Sequence, residues 1–455
     1  MRRWLSPGGV VCLAVVIWGL TSVSAHNVPQ ARQVEGWYRN RPTSSALATL
    51  QIPREAPSLA ADAIGGPASN GLGPIRDFLE GRRLFERETF GGNGRTCQTC
   101  HSQTTGTVSP ADAQERFRKN RRDPLFVHDG SDDEDGDGFG DGRHVTRMLN
   151  DATVLMRIGL HSNVTVKDDP TARVVTLARG IPTTLNTPAL DKVLMVDGRQ
   201  PTLEDQALGA ITDHAQGTRP VQRRELEQIA KFQQLSPRFF TSFALELFSL
   251  GGPAPRLPLG RTDSEKRGRR FFEDLPPDFS VTPPNFKVGA CAACHSGPLL
   301  NQTNQFLPLP GVPPGSRFQT VLVSEFGALR NPAKARTFVF HNQVNDILDG
   351  NPDGIIEITS TDPGRALISG QADDIANGTF DQGNAFKISP LRGIRKTGPY
   401  FHDNSAKTLE DVAEHYRQFF LIVSDVPNDV PDLGPVIVLN DQDKKDIVAF
   451  LKLLD

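Results

Sequence analysis

The pentapeptide Cys97-Gln98-Thr99-Cys100-His101 recurs as Cys291-Ala292-Ala293-Cys294-His295. Two cysteines three apart, followed at once by a histidine, match the attachment chemistry of a c-type haem: thioether bonds to two vinyl edges and an imidazole under the iron. The pattern predicts two covalently bound haem c groups, attached through Cys97, Cys100, Cys291 and Cys294, with His101 and His295 as iron ligands. A redox dithiol, a disulfide or a four-cysteine zinc site split between the pairs would use the same thiols. Each of these leaves the histidine after both pairs unexplained.

The fifth cysteine, Cys12, lies in an apolar run from Val10 to Leu20, preceded by Arg2-Arg3 and followed by the small-residue exit Val23-Ser24-Ala25. This reads as a cleaved signal peptide over residues 1–25, too short in its apolar part to span a bilayer. The mature chain is therefore expected in the periplasm or secreted, with every remaining cysteine committed to haem. A net charge of −3 over 455 residues offers no basic field for nucleic acid, and no second apolar run offers a membrane span.

Residues 26–70, rich in Pro, Ala, Ser and Gly, read as an extended arm. From Ile75 a helical stripe of Ile75, Phe78, Leu79, Leu84 and Phe85 leads into the first haem motif. Gly81-Arg82-Arg83-Leu84-Phe85-Glu86 has a near copy, Gly268-Arg269-Arg270-Phe271-Phe272-Glu273, ahead of the second. Asp197 with Thr202-Leu203-Glu204-Asp205 and Ala207 repeats as Asp403 with Thr408-Leu409-Glu410-Asp411 and Ala413, at one constant offset of 206. Each threonine, three residues before an aspartate, resembles a capping box. Each half thus reads as helix, haem loop, long connection and capped helix.

The expected fold is all-α: two cytochrome c-like haem domains in tandem, over residues 71–255 and 256–455, with loop insertions. The boundary is set by Gly251-Gly252-Pro253-Ala254-Pro255. Two helices are expected between Gln216 and Leu250, the second with Phe239, Phe240, Phe243 and Leu247 on its apolar side. A capped amphipathic helix is expected over Asn440–Leu454, and a short β-hairpin between Arg317 and His341 around Val321, Val323, Phe338 and Phe340. Within an acidic insertion near 120–170, Asp133, Asp135, Asp137 and Asp141 take positions one, three, five and nine of a calcium loop, with Gly138 at six. His144 stands where a bidentate acid is expected, so a merely solvated acidic loop is the alternative.

Together the two haem motifs, Asp197-Gly198-Arg199 before Thr202-Leu203-Glu204-Asp205-Gln206, and Thr397-Gly398-Pro399-Tyr400-Phe401-His402-Asp403 resemble the bacterial di-haem cytochrome c peroxidases, including MauG-like enzymes. The resemblance runs from about residue 75 to the end, apart from the acidic insertion. It implies that the N-terminal haem meets peroxide and the C-terminal haem relays electrons. The family's methionine ligand to the second iron falls on Tyr416, as in the MauG-like arrangement; His402 or His415 is the alternative ligand if Tyr416 is a core aromatic. The inter-haem tryptophan falls on Val196. The distal glutamine is kept as Gln206, the catalytic glutamate becomes Gln216, and His214 is the candidate substitute for proton transfer. The asparagine of the family's bridging calcium site falls on Gly180 or Ile181, which weakens that site. For the far side of the first haem, His128, His144 and His161 are candidates.

The sequence therefore supports a haem-dependent oxidoreductase using peroxide or oxygen and a redox partner protein, as donor or substrate. A pure electron-transfer cytochrome and a di-haem oxygenase acting on an apolar substrate are the competing readings.

Overall fold

The computed structural model describes residues 73–127, 143–281, 285–307, 312–343, 353–372, 383–424 and 437–455. The expected signal peptide and arm, His128 and the acidic segment with Asp133, Asp135, Asp137 and Asp141 lie outside the described residues, as does the side chain of His144. In chain order the first elements are helices α1 (Gly73–Arg87), α2 (Cys97–Cys100), α3 (Pro110–Lys119) and α4 (Arg143–Asp151). Strands β1 (Thr153–Gly159), β2 (Val164–Val166) and β3 (Val174–Gly180) follow. Then come α5 (Thr187–Leu190), α6 (Leu203–Gly209), α7 (Arg223–Leu235), α8 (Phe243–Ser249) and α9 (Asp263–Arg269). The remainder is β4 (Phe318–Gln319), α10 (Val323–Arg330), β5 (Arg336–His341), β6 (Ile355–Ser360), α11 (Ala366–Ser369), β7 (Phe386–Lys387), α12 (Leu409–Ser424) and α13 (Asp441–Leu451).

The repeated Gly-Arg-Arg segments are helix crossings. A Cβ on Gly81 of α1 would lie 2.0 Å from the carbonyl oxygen of Gln228 in α7; one on Gly268 of α9 would lie 1.9 Å from that of Asp446 in α13. Only glycine lets two backbones approach this closely. Phe232 of α7 and Phe450 of α13 stand at matching places beside the two glycines. Each crossing nucleates a core, one with Leu84, Phe85, Ile229 and Phe232, the other with Phe271, Phe272, Ile447 and Phe450. The capped helices repeat too: Thr202 Oγ1 accepts the Asp205 amide at 3.0 Å, and Thr408 Oγ1 accepts that of Asp411 at 3.1 Å.

The all-α expectation needs correction, because among the described residues the helices are joined by three small sheets, ordered β1-β3, β2-β5-β6 and β4-β7. Part of the expected insertion forms α4, β1 and β2. Strand β2 pairs antiparallel with β5, Val164 opposite Phe340 and Val166 opposite Phe338, so segments on both sides of Gly251–Pro255 share one sheet. The alternation that buries Phe338, Phe340, Ile356 and Ile358 is the period of a half-buried strand. The expected hairpin between Arg317 and His341 is absent. Val323 begins α10, and β5 instead pairs with β6 across a longer connection. Two of the expected helical stripes are only partly buried: Ile75 and Leu79 are 57% and 55% exposed, and Phe243 is 76% exposed while Leu245 carries the buried face of α8.

Gly81→Ala and Gly268→Ala should each destabilise the fold by about 1–3 kcal/mol, the usual cost of overpacking. Thermal unfolding of the haem-loaded variants checks this; an unchanged midpoint would show that the crossings yield without strain.

Candidate haem centres

Both Cys-x-x-Cys-His segments close the same turn. The amide of His101 donates to the Cys97 carbonyl at 3.0 Å, and that of His295 to the Cys291 carbonyl at 2.8 Å. Each imidazole is then oriented by the same bond: His101 Nδ1 to the Gly106 carbonyl at 2.8 Å, His295 Nδ1 to the Leu300 carbonyl at 2.9 Å. A carbonyl only accepts, so Nδ1 carries the proton and Nε2 keeps its lone pair for a metal. Burial pushes both imidazoles below the ordinary histidine pKa, which keeps them in the uncharged, metal-binding form near neutral pH. Burial also pushes Cys97 and Cys294 up to about 12, and Cys291 in the same direction.

Cys97, Cys100 and His101 open onto a cavity of about 1370 Å³, including its solvent mouth. Gln206 and His214 face it from α6 and from the single π-helical turn Ala210–His214 that extends it. Such a π turn re-aims side chains and is common at functional sites. Val196 lies at the cavity wall, and its carbonyl accepts the Lys387 amide at 2.7 Å. Gln216 is exposed; its Oε1 accepts from Asn93 at 3.3 Å. His161 bonds Asn163 at 2.5 Å and is not among the cavity residues. The chemistry fits a covalent haem: two thiols and one imidazole converge on one cavity. When bound, haem would supply an iron able to bind a small oxidant and exchange electrons.

Tyr416 packs with Cys291 onto the second core, and burial followed by the neighbouring Cys294 and Cys291 pushes its phenol pKa upward. His415 Nε2 is engaged by the Val321 carbonyl at 2.7 Å. His402 is stacked on Phe386 at 3.6 Å, its Nε2 3.4 Å from Ser324 Oγ, and its charged neighbours are Asp403, Asp362 and Arg179. Of the three candidates for the second iron, Tyr416 is the one beside the cysteines. The offset of 206 pairs Tyr416 with Ala210, which lines the first cavity.

At the wall of the first cavity Arg179 is buried, its Nε donating to Asp362 at 2.7 Å and its Nη1 to Asp197. Burial alone would raise the Asp197 carboxyl, but Arg179 and Arg199 overcome it and hold the pKa below the usual range. Arg199 and Lys387 also line the first cavity. At Gly180 the space for a side chain is filled by the amide of Asn404, whose Nδ2 donates to the carbonyls of Asp151 and Ala152 at 2.9 and 3.0 Å. Among the described residues no group of three or more His, Cys, Asp or Glu side chains is placed to hold a metal ion.

Residues 79–251 match the family model for di-haem cytochrome c peroxidase. Over this stretch, less than half of the chain's 455 residues, the chain is similar to the di-haem cytochrome c peroxidases. It is 25% identical over 305 residues to the methylamine utilization protein MauG of Methylophilus methylotrophus, covering 62% of this chain and 70% of that protein. It is 24% identical over 284 residues to the cytochrome c551 peroxidase of Nitrosomonas europaea, covering 60% of this chain and, below two thirds, 64% of the peroxidase. Among solved structures, the diheme peroxidase BthA from Burkholderia thailandensis aligns at 15% identity over 83% of this chain and 86% of its own, with a TM-score of 0.41. The family carries haem c and supports a haem-dependent oxidoreductase. Among the described residues no helix is long and apolar enough to cross a membrane.

Replacing Cys97 and Cys100 together by serine should leave one covalent haem per chain, and replacing Cys291 and Cys294 should do the same. Haem-to-protein ratios after acid–acetone extraction check this; an undiminished ratio in either variant would contradict the assignment.

Proposed function

We propose that this chain is an exported di-haem oxidoreductase in which the first haem, on Cys97, Cys100 and His101, reacts with peroxide, and the second, on Cys291, Cys294 and His295, passes electrons between it and a partner protein. The observation that carries this reading is the unequal pair Ala210 and Tyr416. They stand at the same offset of 206 in the two sequence repeats, Ala210 at the start of the π turn after α6 and Tyr416 within α12, and a methyl group cannot ligate iron where a phenol can. The first site is thus left open to a small molecule and the second is closed. An oxygenase acting on an apolar substrate would use the same opening and is distinguished by requiring dioxygen rather than peroxide.

Reduction of hydrogen peroxide to two waters consumes two electrons and two protons. The oxygen that leaves must be protonated as the O–O bond breaks. His214, facing the cavity from the π turn, takes the proton from the inner oxygen and returns it to the outer one. Gln206 hydrogen-bonds the peroxide and holds it in line. Gln216 has no part in this, since its amide lies outside the cavity. The lost glutamate is replaced by an imidazole two residues earlier in the chain.

Stopped-flow mixing of the oxidised protein with hydrogen peroxide tests this. His214→Ala should slow the reaction by about 100- to 10,000-fold, the usual worth of a general acid–base group. Gln216→Ala should react at the parent rate. Equal rates for His214→Ala and the parent would remove His214 from the mechanism, and a parent protein inert to peroxide would favour pure electron transfer.

A further inference from the structure

Arg238 is a part-buried cation that the reaction outlined above does not use. It lies in the turn Pro237–Phe239, its guanidinium carbon 5.2, 5.2 and 4.8 Å from the ring centres of Phe85, Phe232 and Phe239. Nη1 donates to Glu86 at 2.5 Å, while Nε and Nη2 are buried without a hydrogen-bond partner. The three rings pack on one another at 5.4 to 5.7 Å, so the cation sits in a rigid aromatic cage. Aromatic faces attract a guanidinium, which makes the cage a deliberate seat for charge rather than a gap filler. Phe85 is also the ring beside His101, at 6.4 Å and tilted by 39°.

We infer that Arg238 is a tuning residue for the first haem, a fixed positive charge behind the proximal imidazole that favours the reduced iron. This rests on the reading of His101 as the ligand of that haem. The two ring contacts bring the guanidinium within about 12 Å of the imidazole. His101 Nδ1–H donates to a neutral carbonyl rather than a carboxylate, so no anion on the imidazole offsets the cation. Glu86 does offset it, but Arg82 Nε also donates to Glu86, at 3.1 Å, leaving the triad with one net positive charge. The second half has the matching rings, Phe272 and Phe450 at 5.3 Å, and among the described residues no cation lies over either. The charge is therefore a feature of one site in an otherwise repeated frame.

One unit charge at about 12 Å, with the effective dielectric of about 20 that suits protein sites, shifts a one-electron equilibrium roughly tenfold, or 59 mV. Spectroelectrochemical titration of the full, haem-loaded chain reads both haems at once. Arg238→Gln should lower the first haem's midpoint by about tenfold in the equilibrium and leave the second unmoved. Arg238→Lys should retain most of the parent value, and Glu86→Gln should move the first haem the opposite way. If Arg238→Gln does not fold, Glu86→Gln decides: a raised midpoint supports the tuning and an unmoved one overturns it. A haem-loaded Arg238→Gln with parent potentials, or with both haems displaced equally, also overturns it. A parent chain without covalent haem on Cys97 and Cys100 overturns the underlying reading as well.

Discussion

Two helix crossings with no room for a side chain hold this protein together. Gly81 rests on the Gln228 carbonyl and Gly268 on that of Asp446, and each contact fixes where the following phenylalanine points. In the first half that residue is Phe85, against His101; in the second it is Phe272, against Phe450. The second haem loop is tied to the same helix end, because the amides of Cys291 and Ala292 both donate to the Phe271 carbonyl, at 2.9 and 3.0 Å. Backbone contact, rather than side-chain choice, thus sets the position of the cysteine loops.

On this repeated frame the differences are few and local. Ala210 stands at the repeat position of Tyr416 in the sequence, a π turn presents His214, and among the described residues the caged arginine lies on the ring cluster of the first half alone. A frame built twice allows one copy to bind a small molecule while the other stays closed, since ligand choice depends on side chains and the crossings do not. The halves are then locked together by β2 pairing with β5 and by Arg179 between Asp197 and Asp362, a buried pairing whose disruption would leave carboxylates without a counter-charge.

Much of this is legible in the sequence. The cysteine–histidine loops, the two Gly-Arg-Arg segments and the threonine caps are local patterns, each a few residues long, and each has its expected structure. The terminal helix likewise buries Ile447, Phe450 and Leu451, followed by Leu454 just past its end. What escaped were non-local partners. Phe338 and Phe340 show strand alternation, but nothing in the sequence says that their neighbours are Val164–Val166 and Ile355–Ser360. Arg179 reads as one more charged residue until Asp197 and Asp362 close on it. The exclusion of Gln216 from the cavity follows from a positive backbone φ of 50° just beyond the π turn, which helical spacing does not foresee.

The central claim is that the repeated frame carries one open and one closed iron, decided by Ala210 against Tyr416. Electron-spin resonance of the oxidised, fully haem-loaded protein tests it most directly. The account predicts one high-spin signal from the first haem and one low-spin signal from the second, the latter lost or altered in Tyr416→Phe. Two low-spin signals of equal weight, unaffected by Tyr416→Phe, would contradict it.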